Sequence, residues 1–376
     1  MVYSPLRPKV MTQANSDNIA EQEGGLTKRH AFGIATMMII AFTTFAMAFV
    51  IIGYAIMKFS YISDGPLVGE QVFEINKGAG LSAIAKKLDA EGVISSAGTF
   101  KMFVKFDGGE ANLKAGEYAI PPAASMRDVY EILTDGQAIL YPVTFAEGLT
   151  SAQIIRKITG IDNIPGEAPN TPAEGTLLPE TYMLPKSMTK TALVKKMRAE
   201  QEALIDQLWE DRAIGLPIKS KHEAIILASI VEKETGVNSE REHVAGVFIN
   251  RLNQGIRLES DPTIIYGITG GEKLGRGLRR SEIDRKTDWN TYQISGLPKT
   301  PICNPGRAAI AAVLNPMETE DIFFVADGTG GHAFAKTLRE HNNNVIKWRK
   351  VERDRKRAAQ KAAKKAKKEA KEEAEQ

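Results

Sequence analysis

Ala224-Ile225-Ile226-Leu227-Ala228-Ser229-Ile230-Val231 is apolar on nearly every face and runs directly into Glu232-Lys233-Glu234-Thr235-Gly236. Such a segment forms a buried helix, and Gly236 is well placed as the residue that ends it. Its last turn therefore carries two carboxylates to the edge of a core. A carboxyl group placed there sits half in an apolar wall and half in any cleft alongside. Loss of water raises its pKa toward what a general acid needs at neutral pH. The negative end of the helix dipole pushes the same way. Glu232 and Glu234 lie about 200° apart around the helix, so they face different directions. One can serve a cleft while the other meets Lys233 or the run Glu240-Arg241-Glu242. Residue type alone leaves either as the acid, and leaves both as charges that merely close a core helix.

The loops that follow are rich in groups suited to sugars. Arg257-Leu258-Glu259-Ser260-Asp261-Pro262-Thr263 places a carboxylate before a proline turn. Trp289-Asn290-Thr291-Tyr292 and Ser295-Gly296-Leu297-Pro298 mix rings with amides and hydroxyls. Rings cover the apolar faces of sugars and amides bind their hydroxyls. Other chemistries are excluded more firmly. Asp327-Gly328-Thr329-Gly330-Gly331-His332 lacks the Lys-Ser/Thr of a phosphate loop. His332 and His341 have no HExxH arrangement, so no metal site is expected, and there is no Gly-x-Ser-x-Gly elbow. A single cysteine, Cys303, allows neither an intrachain disulfide nor a CxxC zinc site and is expected to be simply buried. What remains is chemistry by one glutamate or by a pair of carboxylates.

The elements around this helix fit a chain of 376 residues, enough for two or three domains. Ala31 to Met57 has no Asp, Glu, Lys, Arg or His over 27 positions. A helix of that length, about 40 Å, exceeds a hydrocarbon core of about 30 Å. Lys58-Phe59-Ser60-Tyr61 is unlike a signal-peptidase site. Arg7, Lys9, Lys28 and Arg29 precede the span and only Lys58 follows it closely, which puts the N-terminus in the cytoplasm. A linker from residue 58 to 69 leads to a strand, Gln71-Val72-Phe73-Glu74-Ile75, and a helix carrying Leu81, Ile84, Ala85 and Leu88, with Ser82 near its start as a cap. A second strand at Gly116–Ile120 and a helix capped by Ser125 repeat the pattern, and a third strand at Tyr141–Phe145 precedes a helix from Ser151 to Ile158. This predicts a small α+β module over 70–142, with the third unit bridging into the next domain. Residues 159–185 read as ordered loop, and helices follow from Thr189 to Glu210, from Ser220 to Thr235 and on to about Asn253. A loop-rich stretch then runs to Gly306, followed by a helix from Arg307 to Leu314, a strand at Asp321–Val325 and a final helix from near Ala335. The net charge of +3 hides a basic end: residues 347–376 balance to +7 and the rest to −4. The tail 350–376 is read as a solvated helix or disordered segment with no nucleic-acid role; its function is left open, attraction to anionic envelope polymers being one alternative.

One set of motifs occurs in fixed order: Glu174-Gly175-Thr176-Leu177-Leu178-Pro179-Glu180-Thr181-Tyr182, Ala228–Thr235, Val247-Phe248-Ile249-Asn250-Arg251-Leu252, Ser260–Gly267, Asn290-Thr291-Tyr292, and Phe324–Gly328 with Gly330-Gly331-His332. Together they resemble the endolytic murein transglycosylases, the MltG or YceG-like family, over about 70–350. The residues and the resemblance together imply an α+β chain in six parts, the tail resting on composition alone. These are a cytoplasmic segment (1–30), one transmembrane helix (31–57), a linker (58–69), a LysM-like subdomain (70–142), a YceG-like catalytic domain (143–349) and the charged tail (350–376). It implies an inner-membrane, single-pass lytic transglycosylase whose catalytic domain is extracytoplasmic. Such an enzyme cleaves the β-1,4 bond from N-acetylmuramic acid to N-acetylglucosamine in nascent glycan strands, leaves 1,6-anhydro ends and so terminates elongation. No cofactor is implied. The implied partners are peptidoglycan glycan strands, the membrane, penicillin-binding proteins and other wall-synthesis proteins. The family's acid maps onto Glu234, which precedes Thr235, with Glu232 as second choice. Glu232 would then act structurally through Arg241 or Arg251. Asp261, Tyr266, Asn290 and Tyr292 map onto motif positions and are expected to orient the sugar or the acid. Two other readings compete: a non-catalytic peptidoglycan-binding scaffold, and a hydrolase in which Asp261 or Glu259 supplies a second carboxylate.

Overall fold

The computed structural model describes residues 14–374. They divide between Ala138 and Ile139 into two units. The first opens with α1 (Ala14–Ile62). Its Phe32–Ile62 stretch, 31 residues long, has a mean hydropathy of 2.3 over a window with no buried residue, long and apolar enough to cross a membrane. Arg7 and Lys9 lie outside the described residues, as do the side chains of Lys28 and Arg29. The helix does not stop at Met57: residues 58–62, read as linker, continue it, and buried Tyr61 stacks on Phe103 at 4.4 Å.

Beyond α1 the order is β1 (Gln71–Ile75), α2 (Leu81–Ala90), α3 (Ala97–Phe106), β2 (Gly116–Ile120) and α4 (Met126–Thr134). β1 and β2 pair antiparallel with Phe73 opposite Tyr118. Both of those rings are buried among Leu81, Leu88, Phe100, Val129 and Leu133. Ser125 caps α4 in a reciprocal capping box with Asp128, as its spacing predicts. Two expectations fail. Gly80, not Ser82, occupies the N-cap of α2, and no side chain caps it. The helix α3, capped by Ser96 through the Thr99 N–H, went unread although Phe100, Phe103 and Val104 give it a buried face.

The second unit begins with β3 (Leu140–Thr144). After α5 (Ser151–Thr159), β4 (Thr181–Pro185) pairs antiparallel with β3, so the end of the 159–185 loop is in fact strand. Four helices follow or return to build the main core: α6 (Lys190–Glu210), α7 (Lys221–Glu234), α8 (Arg241–Asn253) and, later, α11 (Arg307–Leu314). Leu227, Ile230 and Val231 of α7 meet Val244 and Phe248 of α8 and Ile310 and Val313 of α11 in one buried cluster. Gly246 lets α8 approach closely, because a Cβ there would lie 2.5 Å from the Met317 carbonyl oxygen. The loop-rich stretch after α8 contains α9 (Asp261–Thr269) and the short α10 (Arg280–Ile283). β5 (Phe323–Ala326) and β6 (His332–Ala335) form a hairpin around the glycine-rich turn, so the last helix, α12 (Leu338–Ala374), starts after a strand that was unread. The described part of the tail is helical throughout.

Candidate active site

Ser220 caps α7 by accepting the Glu223 N–H, and the eight residues Ala224–Val231 are all buried. The helix therefore ends as a rigid post in the core. It stops at extended Thr235, and Gly236 does not adopt the left-handed conformation that a C′ glycine suggested. The two glutamates diverge as helix geometry demands.

Glu232 turns inward. Its carboxylate accepts the Gly306 N–H at 2.9 Å, at the N-cap of α11, and pairs with Arg241 at 3.3 Å, both side chains being buried. Burial raises its pKa, opposed by the Gly306 and Arg241 contacts. Arg241 also reaches Glu147 at 3.1 Å and donates to Asn238 Oδ1 at 2.6 Å. Glu232 thus clamps α7 to α11 and α8, through Arg241 and not Arg251.

Glu234 turns into a cleft of about 360 Å³ that it lines with Arg251, Leu258, Glu259, Asp261, Tyr292, Phe324, Val325 and His341. Ser260 donates its hydroxyl to Glu234 Oε1 at 2.5 Å. Burial pushes the Glu234 carboxyl up to about 7; the Ser260 donation works against the rise and the neighbouring Asp261 adds to it. The acid is then protonated in much of the enzyme at neutral pH, yet can still give up its proton and take one back. Ser260 makes no capping bond to α9, so its side chain serves Glu234. Replacing Ser260 with Ala removes a donor that favours the ionised form. The alkaline limb of kcat/KM, expected near pH 7 because the acid must start protonated, should then move to higher pH. A pH–rate profile of both proteins checks the sign.

Asp261 and Tyr292 are brought together beside the acid: the Tyr292 hydroxyl donates to Asp261 Oδ1 at 2.9 Å. Burial, with Asp261 adding, pushes the Tyr292 phenol up, so it stays a donor at working pH. Asp261 sits in the first turn of α9 with Pro262 behind it and does not cap the turn. Asn290 and Tyr266 are placed differently. Asn290 is fully buried; its amide donates to the carbonyls of Glu282, Ile283 and Arg285 and accepts the Tyr292 N–H. It has no exposed atom for a ligand and instead fixes the loop that presents Tyr292. Tyr266 packs edge-on to Trp289 at 5.8 Å and lines a separate cavity.

Other residues border the cleft, in places that sequence reading did not give them. Arg251 donates to the carbonyls of Ile322, Arg257 and Leu258 and pairs with Glu259 at 3.2 Å, binding the 257–259 loop to the residue just before β5. Glu259 has φ of +54°, a strained backbone for a residue with a Cβ. His341 was set aside for lack of a zinc motif; it stacks on Phe323 at 5.0 Å and borders the acid's cleft. Glu174 is likewise raised to about 7 by burial, but it accepts the Ser151 N–H at the start of α5 and does not line the Glu234 cleft. Cys303 is buried with its thiol pushed well up. Among the described residues no cluster of His, Cys, Asp and Glu could hold a metal.

The sequence pattern of the YceG-like family matches residues 73–347. The chain belongs to the YceG-like family. A Bacillus subtilis (strain 168) protein named endolytic murein transglycosylase is 29% identical over 311 residues, covering 73% of this chain and 83% of that one. A protein of the same name from Streptococcus pneumoniae (serotype 2, strain D39) is 27% identical over 323 residues, 72% of this chain and 57% of its own, so this chain spans little more than half of the streptococcal relative. The crystal structure of a yceG-like protein from Listeria monocytogenes is 26% identical, with 73% of this chain and 99% of that one aligned at a TM-score of 0.43. In this YceG-like chain all the motif segments fall within the matched span.

Proposed function

We propose that this YceG-like protein is a membrane-anchored endolytic peptidoglycan lytic transglycosylase with Glu234 as its acid. The observation that carries the reading is one enclosed carboxyl, raised to about 7 and held by Ser260, at the wall of a cleft lined by Asp261 and Tyr292. Protonated Glu234 gives its proton to the glycosidic oxygen as the bond from muramic acid C1 breaks, freeing the N-acetylglucosamine hydroxyl. The oxocarbenium-like centre is then attacked by the sugar's own 6-hydroxyl, whose proton returns to Glu234. The product is a 1,6-anhydro end, and the acid is restored without water entering. The Asp261–Tyr292 pair orients the sugar or the acid.

The apolar α1 serves as a single inner-membrane anchor with the N-terminus inside, placing the catalytic unit outside the cytoplasm beside the wall-synthesis proteins. The β1-α2-α3-β2 module is read as a LysM-like glycan holder. Its two strands and two helices support this reading.

A hydrolytic reading has one observation in its favour: Asp261 and Glu259 line the same cleft as Glu234. The two readings differ in product. Full-length protein in detergent, incubated with uncrosslinked glycan strands, is expected to yield anhydro-muramic ends by mass spectrometry. Reducing ends would make it a hydrolase, and intact strands that stay bound would make it a scaffold.

A further inference from the structure

We infer that the second cavity beside the acid-bearing turn binds a carboxylate of the peptide stem carried by the strand being cleaved; this rests on the glycan-cleaving reading above. The cavity, about 500 Å³, is lined by Lys233, Ile265, Tyr266, Lys273 and Ile302 among others. It shares a wall with the acid's cleft. Lys233 borders it while the next residue, Glu234, borders the cleft, and Pro262 borders it while Asp261 borders the cleft. Consecutive helical residues turn by about 100°, so the ends of α7 and α9 each present one residue to either side.

The charges in this cavity are unbalanced. Arg276 is taken by Glu282, and Glu272 by Arg156. Lys233 and Lys273 have no carboxylate within ion-pair distance among the described residues; Lys233 makes only a 3.4 Å contact to the Gly148 carbonyl. Two lysines without a carboxylate partner in a cavity also lined by Ile265, Tyr266 and Ile302 suit an anion on an aliphatic body. Neutral sugar hydroxyls do not call for that charge. In a stemmed strand the lactyl carboxyl of muramic acid is tied up as the amide to the peptide, so the carboxylates near that ring, the ring that the mechanism holds at Glu234, are those of the peptide stem. The loop bearing Lys273 is also fixed in place. Gly271, at φ +92°, sits so close to Thr150 that a Cβ would lie 2.2 Å from its Cγ2, and Gln153 donates to the Gly271 carbonyl at 3.2 Å. The site is preformed and opens beside the acid.

The test compares kcat/KM on uncrosslinked strands with intact stems (stemmed strands) and on the same strands with the stem carboxylates blocked as methylamides, using full-length protein in detergent. The parent is expected to prefer stemmed strands by about tenfold, the combined effect of two exposed ion pairs. In the double variant Lys233→Gln/Lys273→Gln the two rates should converge. Equal parent rates on both strands, or a double variant that keeps the preference, would overturn the inference. If no strand is cleaved, the enzymatic reading fails. Fluorescence anisotropy with the same two labelled strands then decides the site. Tighter binding of stemmed strands that the double variant abolishes keeps it, and equal binding removes it.

Discussion

Glu234→Gln should lose about 10³-fold in kcat on glycan strands, the range expected when a general acid is removed outright. The glutamine is nearly the same size and its amide oxygen can still accept from Ser260, so the cleft stays intact while the transferable proton disappears. The same change should show in stability with a definite sign. Burial holds the Glu234 carboxyl of the folded protein at about 7, against 4.5 for an ordinary glutamate. The folded state therefore favours the protonated form. Its contribution is complete below about 4.5 and is lost as the pH rises through about 7. Gln does not titrate, so the variant's melting temperature should gain on the parent's between pH 5 and 8. A variant that loses activity and also melts earlier at every pH would mean that Glu234 is a structural charge.

Arg241→Ala should be the most destabilising single change near the site. It leaves the buried Glu232 carboxylate with no cation, and breaking a buried pair from one side costs about 3–5 kcal/mol. For a unit of this size that is roughly 6–20 °C in the melting midpoint. Adding Glu232→Gln should recover part of the loss, because the orphaned charge goes while the amide oxygen still accepts from Gly306. Thermal unfolding of the parent, both single variants and the double variant gives the coupling directly. Additive losses would show that Arg241 acts through Asn238 and Glu147 instead.

The divergence of the two glutamates was legible in the sequence because it depends only on helix periodicity and on the unbroken apolar run before them. The partner of Glu232 was legible only as a choice, since Arg241 and Arg251 are both on α8 and only packing shows which one faces α7. Loop residues were harder. Asn290 has the right chemistry for a sugar and sits beside Tyr292. Its direction, however, is set by three carbonyls in the 282–285 turn, which no local pattern reveals. Strands β4 and β6 were unread for a related reason. β4 pairs with a segment some 40 residues earlier, and β6 is four residues folded back over a glycine turn. The membrane-length helix was visible because its signal is purely compositional, whereas its continuation to Ile62 depends on Tyr61 packing against Phe103.

The central claim is that the attacking hydroxyl belongs to the sugar and that Glu234 alone manages the protons. Cleavage of uncrosslinked strands by the full-length protein in heavy-oxygen water tests this most directly. The account predicts muramic ends lighter by one water than reducing ends, with no heavy oxygen incorporated, and no such ends from Glu234→Gln. Heavy oxygen at C1 of the new ends would contradict it, making water the nucleophile and Asp261 or Glu259 the group that activates it.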